Sequence, residues 1–170
     1  MKHFLLLISL LSSSLIFSQR KLIPTDSFTI SGAIKNEMVI SLADLNNYKS
    51  KNIADVIITN QHGEIKDTLK QLKGILLKDI LEKAEIVVEK PKYLNEFYFT
   101  FIAADGYKAV FSWNEIFNTA VGNGLYLIVE KDGKAMKDMD ERILMISAND
   151  FVTGRRHVTG LAKIVVKRVD

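Results

Sequence analysis

The chain has no cysteine and only three histidines among its 170 residues. A thiolate nucleophile, a cysteine-ligated zinc ion, an iron–sulfur cluster and a disulfide are therefore all excluded. The sequence also lacks a Gly-x-Ser-x-Gly elbow, a P-loop and a glycine-rich dinucleotide motif. No motif thus supports a serine hydrolase or a nucleotide-binding enzyme, and no repeat or interdomain linker divides the chain.

Neither sign of charge is in large excess. The 23 basic and 20 acidic residues give a net charge of +3. Loss of residues 1–18, which contain Lys2, would lower this to +2, because 22 basic residues would face 20 acidic ones. The only tight basic cluster is Arg155-Arg156-His157, so the composition does not indicate a nucleic-acid partner, and none is predicted.

The N-terminus carries the pattern of a secretory signal peptide. A basic start at Lys2-His3 precedes an apolar core from Phe4 to Leu11, and the small residue Ser18 suits a cleavage position. A membrane-spanning helix needs about 20 mostly apolar residues, and the serines at 12–14 interrupt this segment. We predict a signal peptide over residues 1–18 and an exported protein, periplasmic or extracellular, without stable membrane insertion after cleavage. An uncleaved anchor is the alternative.

The rest of the chain is predicted to form one β-rich α+β domain. Removal of residues 1–18 leaves 152 residues (170 − 18), an ordinary size for a single domain. Residues 19–27 are predicted to be a flexible lead and residues 28–170 the domain. Many short strands with a few short helices indicate the α+β class.

The clearest local signal is a hairpin in mid-chain. Aromatic residues alternate from Phe97 to Ala103, Asp105-Gly106 forms a two-residue turn, and residues 107–111 return as a second strand. Ser112 with Glu115 then predicts a capping box that begins a short helix. The other predicted elements are strands at 28–34, 38–40, 53–59, 125–130, 134–136, 143–146 and 161–166, and helices at 42–48 and 77–84.

Five short stretches occur in a telling order along the chain: Phe28-Thr-Ile-Ser-Gly, Ile40-Ser-Leu-Ala-Asp-Leu, Gly74-Ile-Leu-Leu-Lys-Asp-Ile-Leu, Asp105-Gly-Tyr-Lys-Ala-Val and Gly154-Arg-Arg-His-Val-Thr-Gly-Leu-Ala-Lys-Ile-Val-Val. Their order and that of the predicted elements resemble the oxidoreductase molybdopterin-binding domain of sulfite oxidases and related bacterial reductases. The resemblance covers about residues 28 to 168, and it implies a sulfite oxidase-like fold and a molybdopterin cofactor.

The chain departs from the family where the family binds its metal. In family enzymes a cysteine after the strand that corresponds to Val56–Thr59 ligates molybdenum, and here Asn60 stands at or beside that position. An amide is a poor replacement for a soft thiolate, so the family's oxygen-atom chemistry is not expected to carry over, and no metal site is predicted. His62 follows in the same loop, where it either faces the ligand or is a plain loop residue.

A second departure lies in the stretch that holds the cofactor's phosphate and pterin in the family. The family's Ser-Val-Lys-Trp-like run reads His157-Val158-Thr159-Gly160 here. Arg155 and Arg156 can supply the lost positive charge, because guanidinium groups bind phosphate well; the alternative is a solvated turn. The predicted cofactor-binding residues are thus Asn60, His62, Arg155, Arg156, His157 and Thr159, and no catalytic residue is assigned.

Three functions remain open at this point. The chain is a molybdopterin-binding-like oxidoreductase relative, or a non-catalytic module that binds a small anionic ligand, a pterin or a partner protein. The third reading makes it an assembly component with exposed strand edges. Tyr107 and Trp113 suit packing better than pocket lining. Zinc would require His62, His157 and a carboxylate to converge.

Overall fold

A computed structural model describes residues 22–170, so the predicted signal peptide and residues 19–21 lie outside the described residues. This part of the chain is β-rich with a few short helices, which confirms the predicted α+β class. No helix in it has the length and apolarity needed to cross a bilayer. The strands are β1 (Ser27–Gly32), β2 (Met38–Ser41), β3 (Ser50–Ile53), β4 (Val56–Thr59), β5 (Ile65–Leu69), β6 (Leu72–Leu76), β7 (Phe97–Ala103), β8 (Lys108–Ser112), β9 (Leu125–Lys131), β10 (Lys134–Ala135), β11 (Leu144–Ser147), β12 (Val158–Thr159) and β13 (Leu161–Arg168). The α-helices are α1 (Leu42–Leu45), α2 (Leu77–Leu81) and α3 (Trp113–Phe117), and 3₁₀ turns cover Pro91–Glu96, Gly122–Gly124, Met136–Asp138 and Thr153–Arg156.

One sheet contains β2, β1, β13, β7 and β8 in that order. β1 and β13 are parallel, and the other neighbours are antiparallel. Along β7, Phe97, Phe99, Phe101 and Ala103 are at most 3% exposed, as their alternation predicts. The turn at Asp105-Gly106 joins β7 to β8, and Gly106 has a φ of 86°, a left-handed conformation that suits glycine.

A second sheet has the order β12, β11, β9, β6, β3, with β10 paired to β9. Its central strands contribute fully buried residues at 125, 127 and 128 in β9 and at 144–146 in β11. These side chains and those of the first sheet belong to one continuous apolar core. Within residues 22–170, β4 and β5 pair only with each other, as a separate two-stranded hairpin.

The predicted strand over 53–59 is wrong as a single element. β3 ends at Ile53 and β4 begins at Val56, and the two strands belong to different sheets. The break falls at Ala54-Asp55, two residues of low β-propensity inside an otherwise β-branched run. The predicted helices over 42–48 and 77–84 are each three residues shorter, because they end at Leu45 and Leu81.

The capping box predicted at α3 is confirmed, and α1 begins with one as well. At α3 the Ser112 hydroxyl accepts a hydrogen bond from the Glu115 amide at 3.1 Å, and the Ser112 amide donates to Glu115 Oε2 at 2.8 Å. Ser41 and Asp44 form the equivalent pair at α1. Each box satisfies amides that a helix end leaves without partners. The box at α3 also fixes the Glu115 carboxylate beside the candidate site.

Candidate binding cleft between two loops

The segment at the end of β4 and the 3₁₀ turn over 153–156, next to which the predicted cofactor-binding residues lie, are in contact. The Thr153 side chain is buried between them, where its hydroxyl accepts from the Thr59 amide at 3.1 Å and donates to the Ile57 carbonyl at 2.6 Å. Gly154 follows so closely that a Cβ would lie 1.9 Å from the Thr59 carbonyl oxygen. The 3₁₀ turn over 153–156 is therefore attached to the exposed edge of β4 by one hydroxyl and by close backbone contact.

An open cleft of about 350 Å³ lies along this contact. It brings together three of the six predicted residues, Asn60, Arg155 and His157, while His62, Arg156 and Thr159 do not line it. Its lining is Thr59, Asn60, Gln61, Tyr107, Gly154, Arg155 and His157.

Asn60 shapes the turn that forms one wall of the cleft. Its Oδ1 accepts from the amides of His62 at 2.9 Å and Glu64 at 3.0 Å, and its Nδ2 donates to Glu64 Oε2 at 2.6 Å. Gly63 completes the turn with a φ of 83°. Both ends of the Asn60 amide are thus engaged within the turn. The His62 side chain is exposed at the tip, with its Nε2 3.1 Å from the side-chain nitrogen of Gln61.

Arg155 presents an accessible guanidinium group to the cleft. The side chain is exposed, and its one hydrogen bond within residues 22–170 is a long one of 3.4 Å from Nη2 to the Gln61 carbonyl. No carboxylate in this part of the chain forms an ion pair with it. The Tyr107 hydroxyl donates to the Arg155 carbonyl and so holds the backbone from the β8 side. A solvated guanidinium of this kind can bind an anion without first breaking an internal ion pair.

Arg156 is engaged by the protein itself. Its Nε and Nη2 donate to the two carboxylate oxygens of Asp150 at 2.7 and 2.6 Å, and its Nη1 donates to Glu115 Oε1 at 2.6 Å. The guanidinium carbon lies 4.0 Å from the centre of the Phe111 ring. The hydrogen bonds with Asp150 and Glu115 raise the pKa of Arg156 against the opposing effect of burial. Arg156 therefore anchors the loop and does not line the cleft.

The pKa of Glu115 is also changed by the hydrogen bonds around Arg156. Burial acts to raise its pKa, but hydrogen bonds from the Ser112 backbone amide, from Arg156 and from the Ser112 hydroxyl outweigh burial and lower the pKa below its ordinary value. The Glu115 carboxylate thus stays ionised and paired with Arg156. The Glu115 side chain therefore serves both the capping box of α3 and the ion pair that anchors the loop of Arg156.

Two residues of the cleft lining carry a buried polar atom that has no hydrogen-bond partner within residues 22–170. These atoms are His157 Nε2 and the Thr59 hydroxyl oxygen, and each has less than 1 Å² of exposed surface. Burial lowers the pKa of His157, although the nearby Glu141 carboxylate opposes the shift. The imidazole is therefore neutral at pH 7. Thr159, in contrast, pairs with Leu144 in the second sheet.

Sequence reasoning missed Thr59 and assigned Tyr107 to packing. Thr59 gives no chemical signal beyond its place at the end of a strand, directly before the predicted Asn60. Tyr107 follows the hairpin turn, and only the fold brings its hydroxyl to the loop of Arg155, 48 positions away. Contacts of this sequence separation leave no local pattern.

A larger groove of about 740 Å³ lies on the other side of Thr59 and Thr153. It contains the carboxylates of Asp55 and Asp150, and the latter is already paired with Arg156. Among the residues of 22–170 that line it, the one lysine is Lys51, whose Nζ lies 5.2 Å from the centre of the Tyr126 ring. This described lining has more acidic than basic residues, so the smaller cleft with Arg155 is better suited to an anion.

No protein-family model matches the chain, and no curated protein matches it either. Among solved structures, the sulfane dehydrogenase SoxCD from Paracoccus pantotrophus is similar, with a TM-score of 0.65 and 14% sequence identity. The match covers 89% of this chain and 41% of that chain, so the protein spans less than half the length of its structural neighbour. The match confirms the predicted fold, a β-rich α+β domain of the sulfite oxidase type.

The molybdopterin cofactor that the resemblance implies requires a soft ligand for molybdenum and cations for its phosphate. Asn60, which the resemblance puts at or beside the position of the ligating cysteine, has an amide that is already hydrogen-bonded in its own turn, and Arg156 is occupied by two carboxylates. Among the described residues that line the cleft, Arg155 is the one cation. The residues fit an anionic group and do not fit a molybdenum centre.

Proposed function

We propose that the protein is an exported binding module that captures a small anionic ligand in the cleft between residues 59–61 and 154–157. The observation that carries the proposal is the exposed Arg155 guanidinium, which lines the cleft and has no carboxylate partner in residues 22–170. A guanidinium group binds carboxylates and phosphates through two parallel hydrogen bonds. A pterin phosphate, the ligand implied by the family resemblance, belongs to the same chemical class.

The proposed activity is binding and not oxygen-atom transfer. The resemblance puts Asn60 at or beside the position of the family's metal-ligating cysteine, and the Asn60 amide already makes three hydrogen bonds within the turn. Within residues 22–170, the lining of the cleft thus offers a ligand one cation and neutral polar groups, and the sequence contains no thiolate. These features favour the binding module over the alternative, a molybdopterin-dependent oxidoreductase.

The experiment is anion binding by the purified full chain and its Arg155→Ala variant. With inorganic phosphate and pterin-6-carboxylate as probes in calorimetric titrations, we expect the variant to bind at least tenfold more weakly. Lys167→Ala removes an exposed charge on β13 and is the matched control, with unchanged affinity. Equal affinity of the wild type and Arg155→Ala would move the site elsewhere.

A metal analysis separates the two functions. We expect substoichiometric molybdenum in protein that is co-expressed with the cofactor-synthesis enzymes and purified under native conditions. One molybdenum per chain, together with pterin fluorescence after oxidation, would support the oxidoreductase alternative and contradict the binding module.

A further inference from the structure

We propose that the larger groove binds an extended peptide segment of a partner protein. The peptide adds as a strand to the free edge of β3, and it places apolar side chains and one basic side chain in the groove. The linings of the groove and of the cleft share one residue, Thr59. The inference therefore does not rest on the proposed anion site.

The first observation is the free edge of β3. This strand is the last one in the order of the second sheet, and within residues 22–170 it pairs only with β6. Lys51, Asn52 and Ile53 of β3 all line the groove. Because consecutive residues of a strand point to opposite faces of its sheet, a groove that contacts all three lies against the unpaired edge of the strand. The backbone groups at that edge can pair with an added strand.

The second observation is a cluster of exposed apolar side chains. Nine large apolar side chains are exposed within residues 22–170, and three of them line this groove: Ile57, Ile65 and Phe151. Ile57 and Ile65 are 48% and 67% exposed, and Phe151 is fully exposed. Ile65 pairs with Thr59, two residues after Ile57, so both isoleucines lie on one side of the β4–β5 hairpin. Single exposed apolar residues are normal, whereas a cluster of them marks an interaction surface.

The third observation is the charge of the groove. Its charged residues within 22–170 are Asp55, Asp150 and Lys51. Asp150 is paired with Arg156, and the Lys51 ammonium lies over the Tyr126 ring. Asp55 is exposed, and it forms no ion pair with another residue of this part of the chain. Charge complementarity therefore favours a partner that brings a lysine or an arginine to Asp55.

These three features together favour a peptide in an extended conformation. An added strand offers backbone donors and acceptors to β3, and its alternate side chains can contact the apolar wall of the groove. A helix is less suitable, because its backbone groups are already paired with each other. A second copy of this chain is the competing occupant, because its β3 has the same free edge.

The first test is a selection of random heptapeptides, displayed on phage, against the purified full chain. We expect the enriched peptides to have apolar residues at alternate positions and at least one lysine or arginine. A synthetic copy of the most enriched peptide should bind Phe151→Ser about tenfold or more weakly than the wild type. It should bind Asp55→Asn about fivefold more weakly.

The matched control variants are Val110→Ser and Asp138→Asn. They remove an exposed apolar side chain on β8 and an exposed carboxylate in the 3₁₀ turn over 136–138. Both should bind the peptide as the wild type does. The proposal is overturned if no peptide is enriched, or if Phe151→Ser and Asp55→Asn bind the enriched peptide as tightly as the wild type.

Amide hydrogen exchange of the wild type does not depend on how the variants fold. We expect saturating peptide to slow exchange at those amides of β3 that are not bonded to β6. β2, the edge strand of the first sheet, is the internal control and should not change. Unchanged exchange in β3 at saturation would contradict strand addition. A dimer of the peptide-free protein in light scattering, with the same β3 amides already protected, would assign the groove to a second copy and overturn the peptide.

Discussion

Arg155 and Arg156 are adjacent in one 3₁₀ turn, and yet their surroundings are opposite. The Arg156 side chain makes three hydrogen bonds to Asp150 and Glu115, whereas the Arg155 side chain is exposed and makes one long hydrogen bond within residues 22–170. The sequence marks both residues equally as candidate phosphate ligands. It cannot separate them, because Glu115 lies 41 positions away and reaches Arg156 only through the packing of α3.

Replacement of each arginine by glutamine should separate anchoring from binding. Arg156→Gln leaves two partly buried carboxylates without their cation, so we expect the free energy of unfolding to fall by about 1.5–3 kcal/mol. Arg155→Gln should change it by less than about 0.5 kcal/mol, as is usual for an exposed side chain. Urea denaturation of both variants measures the difference, and equal stabilities would contradict the anchoring role of Arg156.

His157 should give the protein a pH-dependent stability. In the folded chain, burial lowers the pKa of His157 below its ordinary value of 6.5, whereas the unfolded chain keeps that ordinary value. Below pH 6.5 the unfolded state therefore binds a proton more readily than the folded state does. The contribution of His157 to the free energy of unfolding is fully present above pH 6.5, and it is lost as the pH falls toward the folded-state pKa. Unfolding free energies between pH 7.5 and 5 should decrease more steeply in the wild type than in His157→Phe. Parallel curves would show that the ring is not protected from protonation.

At the scale of elements, the sequence predicts the strands and helices whose structure depends on residues that are close together in the chain. The β7–β8 hairpin follows from strict alternation around Asp105-Gly106, and α3 follows from the Ser112–Glu115 capping box. β5 gave no such signal, because three of its five residues are exposed and the alternation is lost. The contact of the turn at 153–156 with β4 is likewise set by tertiary packing and not by a local motif.

The Thr153 hydroxyl should be the main attachment between that turn and β4. Thr153→Val keeps the shape but leaves the Thr59 amide and the Ile57 carbonyl without their partner, so we expect a loss of about 1–3 kcal/mol of stability. Thr153→Ser keeps the hydroxyl and loses one methyl group, which should cost about 0.8 kcal/mol. Thermal denaturation and hydrogen exchange at the Thr59 amide distinguish the two variants. Faster exchange in the serine variant than in the valine variant would contradict the hydroxyl's role.

At the scale of the whole molecule, the order of weak sequence matches predicted the fold correctly although no single match is specific. Each stretch supplies one strand or helix start, and their succession restricts the topology more than any residue does. The parallel pairing of β1 with β13 joins residues about 134 positions apart, as in Thr29 with Lys163. No periodicity in the sequence encodes that pairing.

Export is a prediction about the whole chain. We expect the protein in the exported fraction of the native host, with a mature N-terminus at Gln19 because the signal peptide is cut after Ser18. Cell fractionation and N-terminal sequencing provide the measurement. Protein that keeps Met1 and stays in the cytoplasm would contradict the prediction.

The position of β13 also determines when the first sheet can form during synthesis. β13 lies between β1 and β7, so that without it the sheet is left as two separate pairs, β2–β1 and β7–β8. Two-stranded ribbons are marginally stable in water. Pairing of strands that are distant in sequence is slow, because the entropy of loop closure is lost before the new contacts contribute any free energy. A ribosome must therefore synthesise the chain as far as Arg168 before the first sheet can close. Until then the two strand pairs of the first sheet remain unjoined, so the strand that closes this sheet is also the last one to be synthesised.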